Sequence, residues 1–294
     1  MILDSAPAPH LIAPTRRGRP SNRYAVELDG RPCGWLTDLA GAASGGELGS
    51  PTGRYEELTL RCWPAMPRGF YEWVARSFAA QPQGCDGLLV LADDNDRELS
   101  RLRWMDGVVT EFAATAIDAA ALDTAKVALK VSPRRSQRGE VLGPELPAAA
   151  VDTRRPQPAS MPGLQIDGLE EVCSHIKRVE GLVIRQRVRR SDDGCIRERE
   201  APGIYTSPLV ITLPEGKGQG FVRWREACEL GKSNGRTATM VLGSPAVGFT
   251  VVLHGVRPLR TEELAAADSD DPRRRDLRVE LRARDVAFAL APGK

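Results

Sequence analysis

The chain is poor in the residues that carry chemistry. Its 294 residues include three histidines and six cysteines, with no CxxC pair. Cys33, Cys62, Cys85, Cys173, Cys195 and Cys228 fit the spacing of neither a zinc ribbon nor a disulfide-stapled mini-domain. They read as reduced, and as buried or incidental. No GxSxG elbow and no HExxH pair occurs. No apolar run approaches the roughly 18 residues that a membrane helix needs, so no membrane insertion is expected. The opening stretch MILDSAPAPHLIAPTRRGRPSN carries Asp4, four prolines and no continuous apolar core. It does not read as a signal peptide, and synthesis and assembly in the cytoplasm are expected.

A charge excess is missing too. The net charge is +2, from 41 basic and 39 acidic residues. A general nucleic-acid binder shows a strongly basic face, and this balance predicts none. The arginine clusters at 16–19, 134–138, 185–190 and 273–275 read as solvated charge in loops and tails.

Three fragments of chemical motifs fail on their own terms. Gly231-Lys232-Ser233 is the tail of a P-loop, but Glu226 stands where the first glycine belongs. DDNDRE at 93–98 has the oxygen density of a calcium loop, yet Glu98 replaces the sixth-position glycine and Trp104 the twelfth-position glutamate. It reads as a hairpin turn. Cys173 and His175 could share one strand face, but no motif supplies an orienting carboxylate or oxyanion donors. No catalytic residue, metal ligand or cofactor is assigned, and a non-enzymatic role is expected.

What is present is pattern. Hydrophobic residues make up 41% and charged residues 27%, as in a soluble globular chain long enough for two domains. Residues 1–21 lack periodicity and read as a flexible arm. YAVELDG from Tyr24 alternates and ends in a tight turn. YEELTLRCW at 55–63 alternates again. GFYEWVARSFAA at 69–80 places Phe70, Trp73, Val74 and Phe78 on one helical face. A hairpin follows over 87–109, and DTAKVALKVSP closes the set with a strand stopped by Pro133. Residues 134–163, with Pro144, Pro147, Pro156, Pro158 and Pro162, read as a linker.

Beyond the linker the same order recurs. LQIDG at 164–168 echoes VELDG at 26–30, and VEGL at 179–182 echoes LAGA at 39–42. PLVITL at 208–213 answers ELTLRC at 57–62, and GFVRWREACEL answers GFYEWVARSF. HGVR at 254–257 matches DGVV at 106–109, and LRVELRA at 277–283 matches AKVALKV at 125–131. A run of matches in one order predicts an internal duplication. The expected organisation is a β domain over 22–133 and a second over 164–290, mainly β with short helices (α+β). Each is a small barrel or sandwich with one packed helix. Phe70, Trp73, Phe221 and Trp224 are predicted core anchors, each aromatic removing about 150–250 Å² from water.

The carriers Leu28-Asp29-Gly30, Leu58-Thr59-Leu60, Phe70/Trp73, the 93–96 turn and Val127 to Val131 recur as Ile166-Asp167-Gly168 with Gly181-Leu182, Leu209 to Leu213, Phe221/Trp224 and Val279 to Leu281. This pattern resembles the tail-tube protein family of contractile phage tails and phage-like injection systems, over most of 22–132 and 164–288. The resemblance implies β-barrel subunits that form six-membered rings around a lumen, the rings stacking into a tube. The ordinary tube subunit carries one copy, whereas this chain carries two.

Two copies per chain predict a ring of three chains, a pseudo-hexameric trimer, with a hexamer carrying the two copies in successive rings as the alternative, serving as inner tube or as adapter between tube and baseplate or cap. Its partners would be copies of itself and the tube, sheath, baseplate or spike-hub proteins of a phage-like or virion tail particle. The copies differ in the arm that follows GL or GA. In the second it is long, with VIRQRVRR and CIRERE flanking SDDG, and in the first it is short and rich in glycine and serine. The 183–200 arm is the candidate contact surface, with Arg185, Arg187, Arg189, Arg190, Arg197 and Glu198 as its charged residues. The competing reading is a tandem β-sandwich binding module for a protein or carbohydrate partner, its aromatics exposed.

Overall fold

The computed structural model describes residues 23–41, 57–92, 98–118, 126–139, 163–190, 196–242, 249–265 and 275–290. The first half begins with β1 (Arg23–Leu28) and β2 (Arg31–Ala40). Asp29 and Gly30 join them, both at positive φ (47° and 73°), the backbone of a tight hairpin turn that suits the twist of the strands. Then come β3 (Leu58–Cys62), α1 (Arg68–Ser77), β4 (Cys85–Ala92), β5 (Glu98–Ala114), β6 (Ile117–Asp118), β7 (Val127–Ser132) and β8 (Arg135–Gly139). Hydrogen-bonded pairing runs β1-β2-β3-β7-β5-β4 and returns to β1, closing a six-stranded barrel. Closure leaves those strands little bare margin along the barrel, the exception being the long β5, which takes further strands. β8 adds to β5 from outside.

The second half contains β9 (Leu164–Ile166), α2 (Glu170–Cys173), β10 (Arg178–Val179), β11 (Leu182–Arg190), β12 (Ile196–Thr206) and β13 (Leu209–Pro214). It continues with α3 (Gln219–Glu229), β14 (Arg236–Leu242), β15 (Phe249–Ala265), β16 (Arg275–Arg282) and β17 (Asp285–Leu290). Its sheet runs β9-β14-β15-β16-β13-β10, with β17 added to β15. Strand for strand, this is the order of the first barrel, β1-β4-β5-β7-β3-β2, with β8 on β5. The seam differs. Among the described residues β9 and β10 do not pair, so the second sheet stays open. Leu169, Cys173 and Ile176 of the α2 segment are buried in the core there.

Registers coincide as well as order. Leu28 faces Gly87 and Ile166 faces Ala238, one residue before each Asp-Gly turn. Asp29 N donates to Asp86 O at 2.9 Å, and Asp167 N to Thr237 O at 3.0 Å. Leu58, Leu60 and Cys62 face Val131, Leu129 and Val127, as Leu209, Ile211 and Leu213 face Leu281, Val279 and Leu277. The fold is mainly β with short helices.

Each helix plugs its own sheet. Phe70, Trp73 and Phe221 are fully buried and Trp224 nearly so. Trp73 Nε1 donates to Gly107 O at 2.8 Å, and the Arg236 guanidinium lies 5.0 Å from the Trp224 ring centre. The Gly231-Lys232-Ser233 stretch is the end of α3. Gly231 has φ 67°, its N–H reaches Cys228 O and the Lys232 N–H reaches Ala227 O, which together form a Schellman cap.

Several sequence expectations meet a different structure. The first residues of the expected linker form β8, a polar and mostly exposed strand whose lack of alternation hid it; residues 140–162 lie outside the described residues. His175 lies in the turn after α2, not in a strand. The 1–21 arm and the 93–97 turn also lie outside the described residues, although β4 and β5 pair on both sides of that turn.

Candidate assembly interface

Among the described residues a buried polar network lies where the two halves meet. Two strand additions make the joint. β11 leaves the second half and pairs with β5, Leu182 facing Ala114 and Arg185 facing Glu111. β6 leaves the first half and pairs with β10, Asp118 facing Arg178 and Ile117 facing Val179. At the crossing stands Gly181, where a Cβ would come within 2.8 Å of Ala114 O. Only glycine lets the strand step across so closely.

Aromatic packing backs the joint. Tyr71 of α1 stacks on Phe249 of β15 at 4.4 Å, and Phe78 meets Phe288 of β17 at 4.9 Å. Phe112 of β5 touches both Phe249 and Phe288. One continuous hydrophobic core therefore spans both halves.

Gln186 of β11 is the polar lock. Its Nε2 donates to Ser77 O at 2.6 Å and to Val109 O at 2.7 Å, while the Val109 N–H donates to Ser77 Oγ at 3.1 Å. These groups sit at the bulge where the β5–β7 register shifts between Val109 and Glu111. A bulge breaks the ladder locally and leaves backbone groups that need other partners. Gln186 is only 5% exposed, so water is a poor substitute.

Beside it opens a cleft of about 620 Å³ bordered by Glu57, Thr110, Glu111, Lys130, Arg185 and Tyr205. Arg185 Nε donates to Glu111 Oε2 at 2.6 Å, and Lys130 Nζ lies 3.1 Å from the same oxygen. Thr110 Oγ1 donates to Lys130 O at 3.3 Å. The charges are matched within the chain, which makes this cleft a braced joint.

The arm residues singled out in the sequence fare differently. Arg185 binds Glu111 of its own chain, Arg187 borders the cleft, and Arg189 faces Glu198 across the β11–β12 ladder. Arg190 pairs by its backbone with Ile196, and Arg197 lies on β12. The root of the arm thus joins half to half. Nothing in residue type alone marked Gln186, Tyr71, Phe249 or Phe288 as joint residues; their partners come from the other half.

Burial also bears on the cysteines. Burial pushes the Cys33 thiol up to about 11, and pushes Cys62, Cys85 and Cys173 up from the ordinary thiol value as well. A nucleophilic thiol needs the opposite shift, so Cys173 is a poor partner for His175. Among the described residues no group of three or more metal-binding side chains occurs, and no helix is long and apolar enough to cross a membrane.

No family model matches the chain, and no curated protein matches it. Among solved structures it is similar to a chain of the cryo-EM structure of the anti-feeding prophage (AFP) baseplate, 6-fold symmetrised. The TM-score is 0.26 and the identity 15%, over 39% of this chain and 78% of that chain. A likeness of that size carries no functional argument.

Proposed function

We propose that this chain is a structural subunit of a contractile injection system or phage-like tail, built as two copies of one barrel in tandem. Chains join head to tail and close a ring, three chains supplying six barrels. The ring serves the inner tube or adapts the tube to a baseplate or cap, where three-fold and six-fold parts must meet. It assembles in the cytoplasm with the tube, sheath, baseplate or spike-hub proteins of its particle. No cofactor and no catalysis enter this role.

The observation that supports it is the joint between the halves. A closed barrel and an open sheet of the same strand order are joined side by side by strand addition, β11 onto β5 and β6 onto β10. The counterpart of that β5 margin, on β15 beyond Val256, carries no added strand among the described residues. A heterologous contact with one end satisfied and the other open propagates until it closes. The tandem binding-module reading has no comparable support, because the four aromatics it would expose are buried.

Light scattering on the purified chain, with negative-stain imaging, tests the reading. The expected particle has three times the 32.0 kDa chain mass and an open channel with three-fold symmetry. A monomer at every concentration, or a particle without a channel, overturns it.

A further inference from the structure

The half-to-half joint predicts the chain-to-chain joint residue by residue. On the registers above, Phe78, Tyr71 and Phe112 occupy the places of Glu229, Val222 and Thr261 in the second half, while Phe249 and Phe288 occupy those of Ser100 and Arg138 in the first. We propose that the second half of one chain receives the first half of a second copy. In that contact the aromatic pair Phe78–Phe288 is replaced by Glu229 of one copy against Arg138 of the next. This inference rests on the head-to-tail reading above and names its surfaces.

Three observations carry it. The first is unequal cover at matched positions. Phe112 on β5 is fully buried beneath the joint and Thr110 nearly so, whereas the matching Leu259 on β15 is 49% exposed. Leu230, directly after Glu229, is 67% exposed. The second is charge. The end of α3 presents Glu226 and Glu229, the latter exposed although 3.3 Å from Arg225 Nε of its own helix, and the face that would meet it presents Arg103, Arg135 and Arg138 on β5 and β8. Opposite charges steer the encounter and fix its register. The third is unused room. A cleft of about 840 Å³ lies beside the bare β15 margin, bordered by His254, Arg257, Leu259, Arg282 and Arg284 without an acidic residue. In the first half, β11 with Gln186 runs across the corresponding place. A strand margin bare among the described residues, facing opposite charge on the other half of the same chain, fits a second copy of that chain.

The test is a charge exchange in the full-length chain, read as particle mass against concentration. E229R or R138E alone is expected to weaken assembly at least about tenfold, and the double exchange to restore it to within about threefold. A second arm places cysteines at both positions: mild oxidation should link chains into dimers and trimers on a denaturing gel, while either single cysteine should not. A particle of full mass that neither responds to the exchanges nor cross-links here overturns this surface and leaves the ring intact. A chain that stays monomeric throughout overturns both.

Discussion

Gln186 shows how much one side chain can decide. The bulge in β5 frees Val109 O, the end of α1 frees Ser77 O, and a single amide from the other half satisfies both. Replacing it by leucine keeps the volume but removes the donors and leaves two buried acceptors unpaired. A loss of about 1–3 kcal/mol is expected, read as a lower urea midpoint with an unchanged slope. Glutamine at that position looks unremarkable in RQRVRR, because its partners lie 109 and 77 residues away. The anchors were easier. Phe70/Trp73 and Phe221/Trp224 declare themselves by helical spacing within one segment, and local spacing is what a sequence displays directly. The matches around the β5 and β15 bends show the limit. Letter matching sets Gly107 on Gly255, whereas the registers set Asp106 (φ 47°) on Gly255 (φ 62°). The shared constraint is a left-handed backbone, which aspartate tolerates and a comparison of letters passes over.

Elements carry the next lesson. Strands such as β3 and β7 were legible because each retains its period of two, whereas β2, with Cys33 to Leu36 buried in succession, shows no such alternation. The register of β7 against β16 was not legible, because a pattern of period two is indifferent to a shift of two. Val127, Leu129 and Val131 align with Leu277, Val279 and Leu281, two residues from the match that the letters suggest. β8 was hidden for another reason. RSQRG lies on the outside of β5, mostly exposed, and has no buried face to write an alternation. Its counterpart β17 (DVAFAL) occupies the same place on β15 yet reads as apolar, because Phe288 is pressed against the first half. β17 should therefore stabilise a domain it does not belong to. Ending the chain at Arg284 removes Phe288 from Phe78 and Phe112. About 3 kcal/mol or more should be lost, and hydrogen exchange should speed up in α1 although no residue of the first half has changed.

At the scale of the whole molecule, one sheet is closed by hydrogen bonds all round and the other, among the described residues, stays open between β9 and β10. Their junction holds both within a single core, so the chain behaves as one rigid building block. The halves of that block meet through backbone ladders and packed rings, which dissolved ions weaken little, besides the ion pairs at Glu111. The proposed meeting of blocks relies instead on carboxylates and guanidiniums near the surface, where the screening length falls from about 10 Å at 0.1 M salt to about 3 Å at 1 M. Raising the ionic strength should accordingly take assemblies apart into intact double-barrel monomers with unchanged circular dichroism, and dialysis back to low salt at the same protein concentration should rebuild them. The aromatic weld makes the pair of barrels the unit of disassembly, and sedimentation in a salt series would read it.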